Sequence, residues 1–165
     1  MNDKKFIILA VAATIILLAG GIFFLSKTTN TPQIAASQNA KAFVADPTSF
    51  DLGQVSMDKG KVTKVFTIKN TGTDTLKLYN VRTSCHCTTA FVTINENNSP
   101  SFGMDSLSAW VGEVQKGREA KINVVFDPAY HGPSGMGAVS RFVSVETNDP
   151  AHSKLTFTLT GAVIK

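Results

Sequence analysis

The sequence predicts an all-β fold, an antiparallel β-sandwich of about seven strands, preceded by one N-terminal transmembrane helix. Short runs rich in Val, Phe, Ile and Thr are bounded by Gly, Asn, Asp and Pro, which is typical of strands and turns. No long stretch after the N-terminal region carries helical periodicity. An uncharged apolar run at residues 6–25 predicts the helix. A chain of 165 residues has room for one such domain and little more.

The apolar run at residues 6–25 is long enough to cross a bilayer, because a helix of that length spans roughly 30 Å. Residues 1–5 form a short tail before it, and the small, polar residues 26–42 are typical of a flexible linker. The apolar core of a secretory signal peptide is only about 7–15 residues long. We therefore expect the segment to be retained as an anchor, with cleavage near Ala36 as the alternative.

Positive charges flank the apolar run and predict its orientation. Lys4 and Lys5 precede it and Lys27 follows it. The positive-inside bias favours a single-pass protein of the cell membrane with a cytoplasmic N-terminus and an extracytoplasmic domain. The net charge of +4 falls to +1 from residue 43 onward, where 12 Lys and Arg face 11 Asp and Glu. This balance argues against nucleic acid as a partner.

Seven amphipathic runs within residues 43–165 predict the strands of the sandwich. They are residues 50–55, 62–69, 76–82, 89–94, 120–126, 139–146 and 155–163. Apolar side chains alternate along them, as Phe66 and Ile68 do, so each of two sheets is expected to bury one face. Residues 95–110 are predicted to form a loop, and Trp110 at its end is expected to pack against the sandwich.

An ordered series of motifs in the same region resembles a known family. The motifs are Phe50-Asp51-Leu52-Gly53-Gln54-Val55, Lys69-Asn70-Thr71-Gly72, Ser84-Cys85-His86-Cys87-Thr88, Phe126-Asp127-Pro128, Thr147-Asn148-Asp149 and Leu159-Thr160-Gly161. In this order they are similar to the bacterial domain of unknown function 1573 family. The resemblance implies an immunoglobulin-like sandwich, similar to Hydin and major sperm protein type domains, and it implies no function. His86 stands where the family usually has Gly.

Cys85 and Cys87 are the only cysteines, and three interpretations of the pair stay open. The two thiols could be small apolar groups packed at the end of a strand. They could form a disulfide, which persists in an exported domain. They could also bind Cu or Zn together with His86, because thiolates and imidazoles suit these ions. In a strand His86 points away from both thiols, so a local three-donor site requires a bend. We expect the pair to lie at one end of the sandwich, accessible to solvent.

Three further side chains are weaker candidates for metal binding. His131 and Met136 lie in a Gly-rich loop, and His152 lies in the turn before the last predicted strand. Each can approach the cysteines only if the fold brings its loop to the same end of the domain. A lone histidine in a loop is more often a solvated surface residue.

The sequence predicts a binding protein and not an enzyme. It contains no nucleophile elbow, no catalytic carboxylate pair in a recognisable context and no phosphate-binding Gly loop. The leading hypothesis is a membrane-anchored, non-catalytic module that binds a protein or an envelope component and needs no cofactor. The alternative is a protein that handles Cu or Zn, or thiols and disulfides, through Cys85, His86 and Cys87.

Overall fold

A computed structural model of the chain describes residues 3–26 and 32–165, which fall into two compact units that divide between residues 30 and 31. The first unit contains helix α1, Asp3–Ser26, which includes the uncharged run. Among the described residues, no helix meets the length and apolarity needed to cross a membrane. The predicted transmembrane anchor is therefore not supported. Residues 1 and 2 of the predicted tail and residues 27–31 of the predicted linker lie outside the described residues.

The second unit is an all-β sandwich of ten strands. The strands are β1 Ala42–Val44, β2 Ser49–Ser56, β3 Val62–Asn70, β4 Leu76–Thr83, β5 Thr88–Ile94, β6 Asn97–Asn98, β7 Val111–Val114, β8 Glu119–Phe126, β9 Gly137–Thr147 and β10 Lys154–Ile164. Each of the seven predicted strands is present. The three that the sequence did not predict are β1, β6 and β7, which have only two to four residues and are too short for a period-two pattern to stand out.

The ten strands form two five-stranded sheets. One has the order β1-β3-β8-β5-β6, and the other has the order β2-β10-β9-β4-β7. Neighbours pair antiparallel except β2, which lies parallel to β10. The prediction of a purely antiparallel sandwich is wrong at this edge. Alternation along a strand reports which face is buried but carries no information about the direction of its partner.

The two sheets enclose one apolar core. Phe66 of β3 is fully buried, as predicted, and its ring stacks on that of Phe157 of β10 with centroids 4.7 Å apart. The other large, fully buried side chains come from both sheets and include Ile68, Leu76, Leu78, Ile122, Phe126 and Leu159. The period-two pattern therefore identified the inner faces correctly.

The sandwich begins before residue 43. Ala40 and Ala42 belong to the core, with exposed fractions of 0% and 6%. The Ser37 N–H donates to the Asn148 carbonyl, and the Ala42 N–H donates to Oδ2 of Asp149. The end of the stretch predicted as a flexible linker is thus a packed part of the domain.

The excursion at residues 95–110 is held against the sandwich. It includes β6, and Phe102 pairs with Ala90 through backbone hydrogen bonds in both directions. Trp110 packs beside Phe102, with ring centroids 5.5 Å apart, and against the core, as predicted. The chain then enters β7 at the sheet edge.

Candidate functional site

Cys85 and Cys87 form a disulfide in the tight turn between β4 and β5. The turn is held by Thr83, whose Oγ1 lies 3.1 Å from the Cys85 carbonyl and 2.9 Å from the Thr88 carbonyl. The Thr88 N–H donates to the Cys85 carbonyl. These hydroxyl and backbone contacts end β4 and reverse the chain, because they replace the ladder bonds that a longer strand would make.

The two sulfurs differ in exposure. Cys85 is half-buried, whereas Cys87 is only 2% exposed and belongs to the core. The expectation that both sulfurs are accessible is therefore wrong for Cys87. The reason is the turn, which places Cys87 in the core cluster next to the end of β8, where the Asp127 N–H donates to the Cys87 carbonyl.

The fold brings His131 to the cysteine pair. Its Nε2 lies 3.4 Å from Cys85 Sγ. The ring packs edge-to-face with that of Tyr130, with ring centroids 5.0 Å apart. Gly135 leaves room beside it, because an added Cβ there would lie 2.8 Å from the His131 Cβ. One donor atom from each of Cys85, Cys87 and His131 lies within 4.8 Å of the others. His131 was predicted as a weaker candidate because it reaches the cysteines only if the fold brings its loop to the same end of the domain, which it does.

His86 and Met136 are not part of this three-atom cluster. The His86 side chain is 51% exposed, and its Nε2 lies 3.5 Å from Oδ2 of Asp105 in the excursion. It lines a cleft of about 290 Å³ together with Cys87 and Tyr130. Met136 is 49% exposed after the Gly-rich turn. The donor that the motif suggested first therefore faces an acidic partner, and the distant His131 takes its place.

Sequence reasoning missed Arg141. Its Nε–H donates to Cys87 Sγ at 3.0 Å, from the neighbouring strand β9. Two hydrogen bonds join the cysteine turn to β9 next to Arg141. The Ser84 N–H donates to the Phe142 carbonyl, and the Phe142 N–H donates to Ser84 Oγ. The pairing of β4 with β9 is the cause, and no local pattern reports a contact across 54 residues.

His152 lies elsewhere. It sits in the turn between β9 and β10, where its Nδ1 is 2.9 Å from Oδ2 of the fully buried Asp149. This turn follows the last residue of β9, whereas the cysteine pair lies beside Arg141 and Phe142 in the middle of that strand, roughly 20 Å away by strand rise. Burial alone would raise the pKa of Asp149, but hydrogen bonds from Ala42 N–H, His152 and Ala151 N–H outweigh it and hold that pKa below its usual value.

A family model matches the segment that holds the cysteine pair. Residues 43–100 match the model of a family described as protein of unknown function, DUF1573. The predicted resemblance to this family is confirmed. The DUF1573 match includes β2 to β5 and both cysteines, and none of the curated proteins matches the chain.

One of the solved structures compared has a similar fold. A protein of unknown function from Porphyromonas gingivalis W83 is 21% identical, with a TM-score of 0.57. The alignment covers 79% of this chain and 50% of that one, so this chain spans half the length of that protein. The ASH/PapD-like domain of human CEP192 gives 16% identity and a TM-score of 0.49, with 81% and 92% covered. The YadV chaperone is 11% identical with a TM-score of 0.43, and the alignment covers 77% of this chain and 53% of the chaperone. At 21% identity the likeness to the Porphyromonas gingivalis protein is one of fold alone.

Proposed function

We propose that the sandwich is a non-catalytic, extracytoplasmic binding domain that takes an extended segment of an envelope or other partner protein along β2. The observation that carries the proposal is the open edge of this strand. β2 has eight residues, and among the described strands only β10 pairs with it. Its outward N–H and C=O groups can form a new ladder with an extended chain, which is how edge strands bind peptides.

The surroundings of β2 provide contacts for side chains of such a segment. Phe50 is 40% exposed, and Lys64 Nζ lies 4.0 Å from the centre of its ring. A cleft of about 410 Å³ runs from β2 across β10 to β9, lined by Asp51, Gln54 and Val139 among others. Main-chain bonds would supply affinity, and an aromatic surface beside a cleft would supply selectivity.

An extracytoplasmic location is supported by the disulfide. A disulfide such as Cys85–Cys87 persists in oxidising compartments and is rare in the cytosol. Protease added to intact bacterial spheroplasts should digest the domain, and full protection would refute this location. Carbonate extraction of the same cells would report whether the chain stays with the membrane.

The edge-binding proposal is tested at Ser49, whose backbone faces outward. Thr158 N–H donates to the Thr48 carbonyl, so Thr48 and Phe50 point towards β10 and the N–H of Ser49 points away from it. Ser49→Pro removes this donor without touching the pairing with β10, and Ser49→Ala keeps it. A photoreactive residue at Gln54, exposed on the same strand, reports a bound partner in living cells.

We expect a crosslinked complex from Gln54 in the Ser49→Ala chain and its loss in the Ser49→Pro chain. The same photoreactive residue at Glu113, on the opposite edge strand β7, is the matched control and should capture nothing. Equal capture by both Ser49 variants, or capture at Glu113 alone, would contradict binding along β2. Urea midpoints of the two Ser49 variants check that both sandwiches are folded.

A second candidate function is binding of Cu or Zn by Cys85, Cys87 and His131. It is favoured by their convergence within 4.8 Å, since two thiolates and an imidazole suit both ions. The disulfide must first be reduced. Anaerobic titration of the reduced chain with Cu(I) or Zn(II), against a chromophoric chelator, should give one ion per chain. His131→Ala should weaken binding and His152→Ala should not; equal affinities of the two variants would refute the site.

A further inference from the structure

The two sulfurs of the Cys85–Cys87 disulfide have unlike surroundings. Cys87 Sγ is buried and accepts a hydrogen bond from the guanidinium of Arg141. Cys85 is a half-buried residue, and its Sγ lies beside the imidazole of His131 and accepts the N–H of Cys87 at 3.2 Å. One sulfur is thus open to an incoming group, and the other is paired with a cation.

We propose that Cys85–Cys87 is a redox-active disulfide that oxidises a dithiol, with Cys85 as the sulfur that is attacked and Cys87 as the sulfur that leaves. This goes beyond edge binding and does not rest on it. Thiol–disulfide exchange depends on access to the attacked sulfur and on the stability of the thiolate that leaves. Access favours Cys85, and the Arg141 cation favours a thiolate at Cys87.

The exchange balances in two steps. One thiolate of the substrate attacks Cys85 Sγ, the Cys85–Cys87 bond breaks, and its electron pair stays on Cys87 Sγ beside Arg141. The second substrate thiolate attacks the substrate sulfur of the mixed disulfide, and Cys85 leaves with the electron pair and takes up a proton, for which His131 Nε2 lies within reach. The substrate dithiol loses two electrons and two protons and becomes a disulfide. The domain gains the two electrons: Cys85 takes one proton and becomes a thiol, Cys87 stays a thiolate beside Arg141, and the second proton goes to solvent.

The position of Arg141 is fixed by its own contacts. Its Nη1 donates to the Ser140 carbonyl at 2.9 Å, and its guanidinium lies 6.0 Å from the ring centre of Phe126. In residues 32–165 no carboxylate forms a salt bridge with it. Its charge is therefore not neutralised by a carboxylate, which makes the hydrogen bond to sulfur stronger when that sulfur is a thiolate.

Mass spectrometry of the full chain can show which of the two sulfurs is attacked and which one leaves. The oxidised protein is exposed briefly to glutathione, quenched with N-ethylmaleimide and analysed by tandem mass spectrometry. We expect glutathione on Cys85 and the maleimide on Cys87. Glutathione on Cys87, an equal mixture, or two free thiols in the air-oxidised chain would overturn the proposal.

The role of Arg141 is tested by the rate of the first step. Arg141→Gln should slow the attack of glutathione about tenfold, as expected for the loss of one hydrogen bond to a charged group. Arg118→Gln, an exposed arginine in the turn before β8, is the matched control and should leave the rate unchanged. If Arg141 only packs over the cysteines, its removal would expose them and speed the attack. A rate that rises or stays the same would therefore refute the assignment.

Discussion

Asp149 joins the N-terminal segment to the last hairpin, and its replacement should destabilise the whole sandwich. The side chain is fully buried, and three donors point at its carboxylate. Ala42 N–H and His152 Nδ1 meet Oδ2, and Ala151 N–H meets Oδ1, each at 2.9 Å. Asp149→Asn keeps the shape of the side chain but replaces one acceptor oxygen with an NH₂ group, which then faces a donor.

The expected loss follows from the hydrogen bonds. A hydrogen bond to a charged group contributes about 1.5–3 kcal/mol, and a buried donor left without an acceptor costs a similar amount. Ala151 can turn to water because it is exposed, whereas Ala42 cannot. We therefore expect Asp149→Asn to lower the free energy of unfolding by about 2–4 kcal/mol. Urea unfolding of residues 32–165, followed by circular dichroism, measures it, with the exposed Asp58→Asn as the control that should change it by less than about 0.5 kcal/mol.

The pH dependence gives an independent check. The pKa of Asp149 is lower in the folded protein than its ordinary value, so its contribution is present above that value, about pH 4, and is lost as the pH falls through the lower folded pKa. The wild-type domain should therefore lose more stability than Asp149→Asn between pH 5 and the acid limit. The reasoning fails if Asp149→Asn changes stability by less than about 0.5 kcal/mol, or if acid destabilises both proteins equally.

Two further changes test the core and the start of the domain. Phe66→Ala should cost about 3–5 kcal/mol, because it empties a fully buried site stacked on another ring, while the exposed Phe43→Ala should cost less than about 0.5 kcal/mol. If Phe66→Ala lowers the free energy of unfolding by less than about 1 kcal/mol in urea, the surrounding side chains move in to fill the cavity and the prediction is wrong. A chain of residues 45–165 should melt at a lower temperature than residues 32–165, because it lacks β1 and the donor from Ala42; equal midpoints in calorimetry would show that this segment adds nothing.

The strands were predictable where side-chain alternation runs long enough. Phe66 and Ile68 lie two residues apart on one face of β3, and both are buried as expected. β1 was not predictable, because its three residues follow a polar stretch that is typical of a flexible linker. Ala40 and Ala42 are small, and Ala42 is placed in the core by its pairing with β3 and its hydrogen bond to Asp149. Whether β2 pairs parallel or antiparallel depends on its partner strand, and the residues of β2 themselves do not indicate it.

The sequence by itself determined the sandwich, the family resemblance and the cysteine pair, because alternation, turn residues and motif order are local properties of the chain. Only the tertiary structure decided which side chains surround the pair. It turned His86 towards Asp105, brought His131 to Cys85 and set Arg141 against Cys87. These contacts arise from loop packing and from the register of β4 on β9, which bring together residues 46 and 54 positions apart. Such long-range pairings depend on the packing of both sheets at once, so no local pattern could reveal that the two sulfurs are unequal.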